Sequence, residues 1–145
     1  MRGNNFITNF KIDRIKDAQA AGTTDVESDI IDISNFNAVC IFGTIATANA
    51  ANTFAVYQGN KSDMTDKKEV PETKIVPGTD GMICGNDIIR PVDRYLRVVI
   101  KRAVSTATGD IYCIKYRGRV NPKGRNNVTD KQIFNLLQSP DSSEG

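Results

Sequence analysis

Between residues 29 and 119 the chain consists of short apolar runs separated by glycine, asparagine, proline and aspartate. The runs are DIIDI at 29–33, AVCIFGTI at 38–45, TFAVYQ at 53–58, YLRVVIKR at 95–102 and DIYCIKYR at 110–117. Segments of this length, dense in β-branched and aromatic residues and bounded by turn formers, read as strands. The chain also has no histidine and no recognisable catalytic cluster, a combination that favours a protein working through its surface.

At 145 residues the chain fits one domain, and a domain of this size buries roughly 68–70% of its unfolded surface without disulfides. Apolar residues make up 39% and charged residues 25%, which excludes wholesale disorder. No apolar stretch approaches the roughly 18 to 20 residues of a membrane helix, and residues 1–7 lack the apolar segment of a signal peptide. The expectation is a protein with no membrane partner that works where it is made, so the matches to a glycosylation acceptor at Asn60 and Asn127 are read as chance. Cys40, Cys84 and Cys113 are odd in number and far apart, and Cys40 and Cys113 sit inside strand runs. They are expected to be reduced thiols behaving as small hydrophobes. Zinc needs about four N or S ligands, and three thiolates without histidine do not supply them.

The runs at 38–45 and 53–58 are apolar on both alternating faces, as the pairs Val39/Ile41 and Cys40/Phe42 illustrate. They suit central strands with one face on the core and the other on a neighbouring element or subunit. The runs at 95–102 and 110–117 flank AVSTATG at 103–109 and predict a β-hairpin with a long loop. Leu96, Val98 and Ile100 give the first of them a dry side, and Arg97 and Lys101 a wet side. In the second, Tyr112, Ile114 and Tyr116 compete with Ile111 and Cys113 for the inside. The stretch 59–87, with Pro71, Pro77 and scattered apolar residues, predicts long loops with short edge strands near 73–76 and 82–84.

Both ends differ from the middle. Residues 1–5 and 121–127 are polar and read as an arm and a linker. Thr129 to Gln132 matches a capping box, and Ile133, Phe134, Leu136 and Leu137 line one side of a helix over about 130–138 that Ser139-Pro140 would end. A helix so short is marginal alone in water and must dock. The expected organisation is an N-terminal arm and first strand over 1–21, a β-sandwich over 22–119, and an extension over 120–145 with a disordered end. The fold class is all-β, an antiparallel β-sandwich of jelly-roll or Ig-like kind with a short C-terminal helix.

Charge is uneven along the chain. Residues 90–125 hold ten basic residues against two acidic ones, Asp93 and Asp110. A basic strand face carrying Arg97, Lys101, Lys115, Arg117 and Arg119, with Tyr95, Tyr112 and Tyr116 interleaved, has the composition of a single-strand nucleic-acid binder. It equally suits the acidic patch of a neighbouring subunit, or a solvated face that keeps strand edges from stray pairing. Motifs for catalysis or cofactors fail on inspection. GNKS at 59–62 lacks the glycines that form a phosphate-binding amide cradle, and Glu72-Thr-Lys74 imitates half of a metal-dependent nuclease motif without its partner carboxylate. Asp63, Asp66, Glu69 and Glu72 recur every three residues, but Pro71 breaks any helix there, and they read as a solvated loop. No catalytic, cofactor-binding or metal-ligating residue is assigned.

The order and punctuation of these runs, from DIIDISNF at 29–36 into VCIFG at 39–43, then FAVYQ at 54–58 with NKSD at 60–63, and later YLRV at 95–98 opening the last pair, resemble the small β-sandwich structural proteins of tailed-phage heads. The resemblance covers about residues 22–119. It implies a virion protein of the capsid decoration or cement type, made in the host cytoplasm and sitting on the outer capsid surface. Its partners would be the major capsid protein and further copies of itself, a trimer among the possibilities, and it would need no cofactor. A tail, neck or connector component is the alternative implication, and a nucleic-acid-binding module a further one. On the decoration reading the contacts to neighbours come from an arm around Phe6, Ile7 and Phe10 and from Ile133, Phe134, Leu136 and Leu137.

Overall fold

The structure is a computed structural model that describes residues 10–117 and, for the backbone alone, 127–128 and 132–138. Among the described residues the protein is all-β, with two sheets packed on a shared core. The strands are β1 (Phe10–Lys16), β2 (Gln19–Gly22), β3 (Val26–Glu27), β4 (Ile31–Asp32), β5 (Ala38–Ile45), β6 (Asn52–Gly59), β7 (Lys68–Glu69), β8 (Met82–Ile89), β9 (Tyr95–Arg102), β10 (Thr106–Thr108), β11 (Ile111–Tyr116), β12 (Asn127–Val128) and β13 (Gln132–Gln138). The larger sheet runs β1-β11-β5-β8-β13-β12, with β10 joining β2 to the end of β5; the smaller runs β3-β9-β6-β7, with β4 also on β9. Every pairing is antiparallel except that of β13 on β8.

Strand alternation explains how the sheets meet. In the larger sheet Val39, Ile41 and Ile45 of β5, Cys84 and Ile88 of β8, and Ile111 and Cys113 of β11 turn inward and are almost fully buried. Phe54 and Val56 of β6 and Leu96, Val98 and Ile100 of β9 meet them from the other side. The dry side expected for 95–102 is therefore present, and at 111–116 the inside belongs to Ile111 and Cys113 while Tyr112, Ile114 and Tyr116 turn out.

Three expectations are corrected. The runs at 95–102 and 110–117 do not form a hairpin: β9 pairs with β6 in the smaller sheet, and β11 lies between β1 and β5 in the larger. The chain changes sheets through 103–110, and Arg102 fixes the crossing. Its side chain is buried, with Nε donating to the Thr24 carbonyl at 2.6 Å and Nη1 to the carbonyls of Ala20 at 2.8 Å and Thr106 at 2.9 Å. Nη2 donates to Thr24 Oγ1 at 3.2 Å. Gly109 completes the crossing, because a Cβ there would lie 2.2 Å from Thr44 Oγ1 while its amide donates to the Thr44 carbonyl.

The second correction concerns 82–89, which forms a full inner strand between β5 and β13 rather than a short edge strand. Gly85, Asn86 and Asp87 look like turn residues in the sequence. In the fold Asn86 points inward, and its amide donates to the Thr73 carbonyl at 3.2 Å, so a buried polar group is satisfied inside a strand. Residues 73–76 contribute only an isolated bridge from Ile75 to Phe54.

The third is the C-terminal helix, which is absent: 132–138 is an extended strand pairing in parallel with β8 from Ile83 to Ile89. A short helix depends on docking for its stability. The open edge of β8 instead offers a row of backbone donors and acceptors that a strand satisfies directly. Residues 129–131 and the tail 139–145 lie outside the described residues, as do the arm residues Phe6 and Ile7.

Two stability measurements follow from the buried polar groups. Arg102→Ala strands three carbonyls at the crossing and is expected to lower unfolding free energy by about 3 kcal/mol; Arg102→Lys, without the planar fork, loses at least about 1 kcal/mol. Both are read by urea denaturation, and an unchanged midpoint for either variant rejects the clamp. Gln58 lies in the core with neither amide atom hydrogen-bonded to another protein group, so Gln58→Met is expected to raise stability by about 1 kcal/mol. A loss on the same assay means that the amide is satisfied in solution.

Candidate functional site

The two outer faces of the molecule differ in chemistry. On the larger sheet, cross-strand register sets outward residues in rows: Arg14, Tyr112, Phe42 and Gly85; then Ile12, Ile114, Cys40 and Asp87; then Phe10, Tyr116, Ala38 and Ile89. Ile12 is 52% exposed, and Phe10, Cys40, Phe42, Tyr112, Ile114 and Tyr116 are half-buried. Phe42 and Tyr112 pack with ring centroids 5.8 Å apart. Among the described residues these rows carry two charges. Arg14 stands at its rim, paired with Asp17 at 3.0 Å and Asp110 at 3.7 Å. Asp87 accepts a hydrogen bond from the Tyr116 hydroxyl.

Asp87, Tyr116 and Cys40 are electrostatically linked. Burial holds the Asp87 carboxyl above its ordinary value, against the opposing effect of the Tyr116 hydrogen bond. Burial, then the bond to Asp87, raises the Tyr116 hydroxyl. The Cys40 thiol is pushed up to about 12, by burial first and the Asp87 charge second. Cys84 is likewise raised to about 12 and Cys113 to about 11, chiefly by burial. All three cysteines are free thiols, and such high values suppress the nucleophilic thiolate.

The smaller sheet presents a polar outer face. Lys101 pairs in register with Thr53, Val99 with Ala55 and Arg97 with Tyr57. Arg97 Nε donates to the Ser28 carbonyl at 2.8 Å, and its Nη1 lies 3.5 Å from Glu27. Lys67 also reaches Glu27, at 3.3 Å, and sits 5.9 Å from the Tyr57 ring centroid. This network covers Val99 and Ala55, which are buried although they point outward.

The basic residues singled out in the sequence are therefore divided. Arg97 and Lys101 belong to the smaller sheet, and Lys115 to the larger, where its Nζ donates to the Asp32 carbonyl at 3.3 Å and lies 5.4 Å from the Phe36 ring centroid. Arg117 is exposed just past β11, and Arg119 lies outside the described residues. The interface candidates converge better: Phe10 begins β1 at one edge of the larger sheet, and the backbone of Ile133, Phe134, Leu136 and Leu137 forms β13 beside β8 towards the other. The sequence placed Tyr112 and Tyr116 only among the tyrosines of the basic face, and assigned Ile12, Cys40, Phe42 and Ile114 to no site. The available signal was the presence of apolar residues on both parities of 38–45 and 110–117.

The acidic loop has local duties. Asp66 accepts from the amides of Asn60 at 2.9 Å and Lys61 at 3.2 Å, and Asp63 from the amide of Thr65 at 3.0 Å. These bonds hold both carboxyls below their ordinary values. Arg94 grips both oxygens of Asp32 at 2.9 Å and holds that carboxyl well below the usual range. No group of three or more His, Cys, Asp or Glu among the described residues is arranged to hold a metal ion. No helix there is long and apolar enough to cross a membrane. The chain matches no protein-family model and no curated protein sequence.

The raised Asp87 carboxyl has a signed consequence. Its contribution to stability is fully present below the unfolded value of 3.8 and declines as pH rises through its folded value. Asp87→Asn keeps an acceptor for Tyr116 and removes the charge. It is expected to match the parent protein in thermal midpoint below pH 3.8 and to exceed it at pH 7. A variant less stable at pH 7 overturns this account.

Proposed function

We propose that this protein is a structural component of a virus particle, a decoration or cement protein on the outer surface of a tailed-phage head that stabilises contacts between major capsid protein subunits. On this reading its two-sheet body is an antiparallel β-sandwich of jelly-roll or Ig-like kind, it carries no catalytic activity and needs no cofactor. The observation that carries the proposal is the contrast between the outer faces. One is a charged network closed upon itself, and the other presents Phe10, Ile12, Phe42, Tyr112 and Ile114 in continuous rows.

A rigid body with one apolar face suits work by burial. A specific contact of standard size removes about 1,600 Å² from water in total, and many copies on one shell act together at high effective concentration. Phe10 and β13 flank that same sheet, so the terminal segments meet neighbours from the two sides of one surface. The division of Arg97 and Lys101 from Lys115 gives a nucleic-acid groove less support than a protein contact.

The test is quantitative mass spectrometry and cryo-electron microscopy of purified particles from the virus that encodes the chain. Decoration is expected to give many copies per particle, in a fixed ratio to the major shell protein, as density outside the shell. Absence from the particles, or confinement to one vertex as in a connector, rejects the proposal.

A further inference from the structure

We infer that the open edge of β1 is a self-pairing strand, which joins the β1 edge of a second copy of this chain antiparallel about a two-fold axis at Ile12. This goes beyond the particle role and does not depend on it.

The backbone sets the site. Among the described residues β1 pairs on one side only, with β11. Which groups face the other side follows from the register. The Arg90 amide donates to the Asn37 carbonyl beside the pair of Ala38 with Ile89, so Ala38 turns its own amide and carbonyl towards Tyr116. Bonded positions alternate along antiparallel strands. Lys11 and Asp13 therefore bond to β11, while Ile12 and Arg14 hold their amides and carbonyls at the open edge. The edge is bounded, because beyond the irregularity that follows Arg14 the Ile15 carbonyl accepts from the Asp29 amide at 2.8 Å. Since β1 begins at Phe10, Ile12 is the centre of residues 10–14, a contact about 17 Å long at about 3.4 Å per residue.

Charge then selects the occupant. Lys11 is exposed and Asp13 half-buried, on the same side of β1. Lys11 lies directly opposite Lys115 of β11, a like-charge pairing that costs stability. Neither Lys11 nor Asp13 forms an ion pair among the described residues. An incoming strand that sets a carboxylate beside Lys11 and an ammonium beside Asp13 answers both, and β1 itself is such a strand. Pairing centred on Ile12 sets Lys11 opposite Asp13 of the second copy and Asp13 opposite its Lys11, while the two Ile12 residues exchange backbone bonds. Both ion pairs fall at positions without backbone bonds, where opposed side chains lie closest. On the outer face Ile12, 52% exposed, meets its own copy. Sliding the strands to either neighbouring bonded register opposes Lys11 with Lys11 or Asp13 with Asp13, so charge favours the register centred on Ile12. The contact is isologous and closes at two copies, and the short edge makes it a transient pair.

Sedimentation equilibrium of the full chain from about 10 to about 500 μM is expected to show a mass rising towards twice the 15.9 kDa chain mass. Lys11→Glu and Asp13→Lys, each folded by far-ultraviolet circular dichroism, are each expected to weaken the pair at least about 10-fold. An equimolar mixture of the two variants is expected to pair as the parent protein does, because in the mixed pair every charge again meets its opposite. The chain carrying both substitutions is expected to regain pairing with itself for the same reason. Lys101→Glu, exposed on the smaller sheet, is expected to leave the pair intact. A parent protein that stays monomeric over this range overturns the inference. So does a mixture that pairs no better than its separate components, or a Lys101→Glu variant weakened as much as Lys11→Glu. A monomer that pairs only after deletion of residues 1–9 also overturns it, and assigns the edge to the chain's own N-terminal segment.

Discussion

A buried guanidinium decides where this chain changes sheets. Among the described residues Arg102 pairs with no carboxylate. Its donors go instead to the carbonyls of Ala20, Thr24 and Thr106 and to the Thr24 hydroxyl. A charge taken out of water is tolerated only when its donors are satisfied, and three carbonyl dipoles converging on one planar fork do this without an anion. The converse holds for the backbone. Those carbonyls belong to β2, to the turn before β3 and to β10, and without the arginine they would face the interior unmet. One side chain thus fastens the end of β9 in the smaller sheet to β2 and β10 in the larger.

The same accounting recurs around the core. Asn52 donates to the Thr47 carbonyl at 3.2 Å and accepts from the Val104 amide at 2.9 Å, joining the loop that leaves β5 to the loop that leaves β9. Thr73 accepts from the Val56 amide, and its hydroxyl lies 2.8 Å from the Val70 carbonyl, which pins the 70–76 loop along β6. Ser28 exchanges bonds with Val98 through its amide and its hydroxyl. Each is a short polar residue placed where a connection must leave one sheet without exposing backbone to an apolar interior. Gln58 and the Thr108 hydroxyl are the exceptions, and the position of Gln58 beside Leu96 in register makes its amide the larger weak point of the core.

How much of this was legible follows from what each residue reports. Alternation in YLRVVIKR told which side of β9 is dry, because a strand's periodicity is a local property. Pairing is not local. The 95–102 and 110–117 runs look like a hairpin because the residues between them suit a loop, whereas the deciding contact is between Arg102 and residues some eighty positions earlier. Likewise Gly85, Asn86 and Asp87 carry turn chemistry, and only the Thr73 carbonyl makes Asn86 acceptable inside β8. The pattern at 130–138 satisfied a helical template, yet its apolar residues occur at both strand parities. The open edge of β8 decided between the two forms. For the site, Phe10 and the 133–137 segment were visible as apolar ends, but that they flank one sheet was not.

The contrast between the outer faces bears on how such a molecule avoids indiscriminate sticking. Unpaired strand edges and apolar faces are both liabilities in isolation. The smaller sheet ends in strands of two residues, β3, β4 and β7, too short to template a neighbour, and its outer face is laced by Glu27, Lys67 and Arg97. The larger sheet is guarded at its β1 edge by Arg14 and Lys16, and its apolar rows lie inside that charged margin. Among the described residues, the exposed apolar side chains of the larger sheet are therefore gathered in register inside a charged margin. Any molecule seated on these rows must leave the pairs of Arg14 with Asp17 and Asp110 and the bond of Asp87 to the Tyr116 hydroxyl intact, and the penalty for breaking them separates specific seating from aggregation.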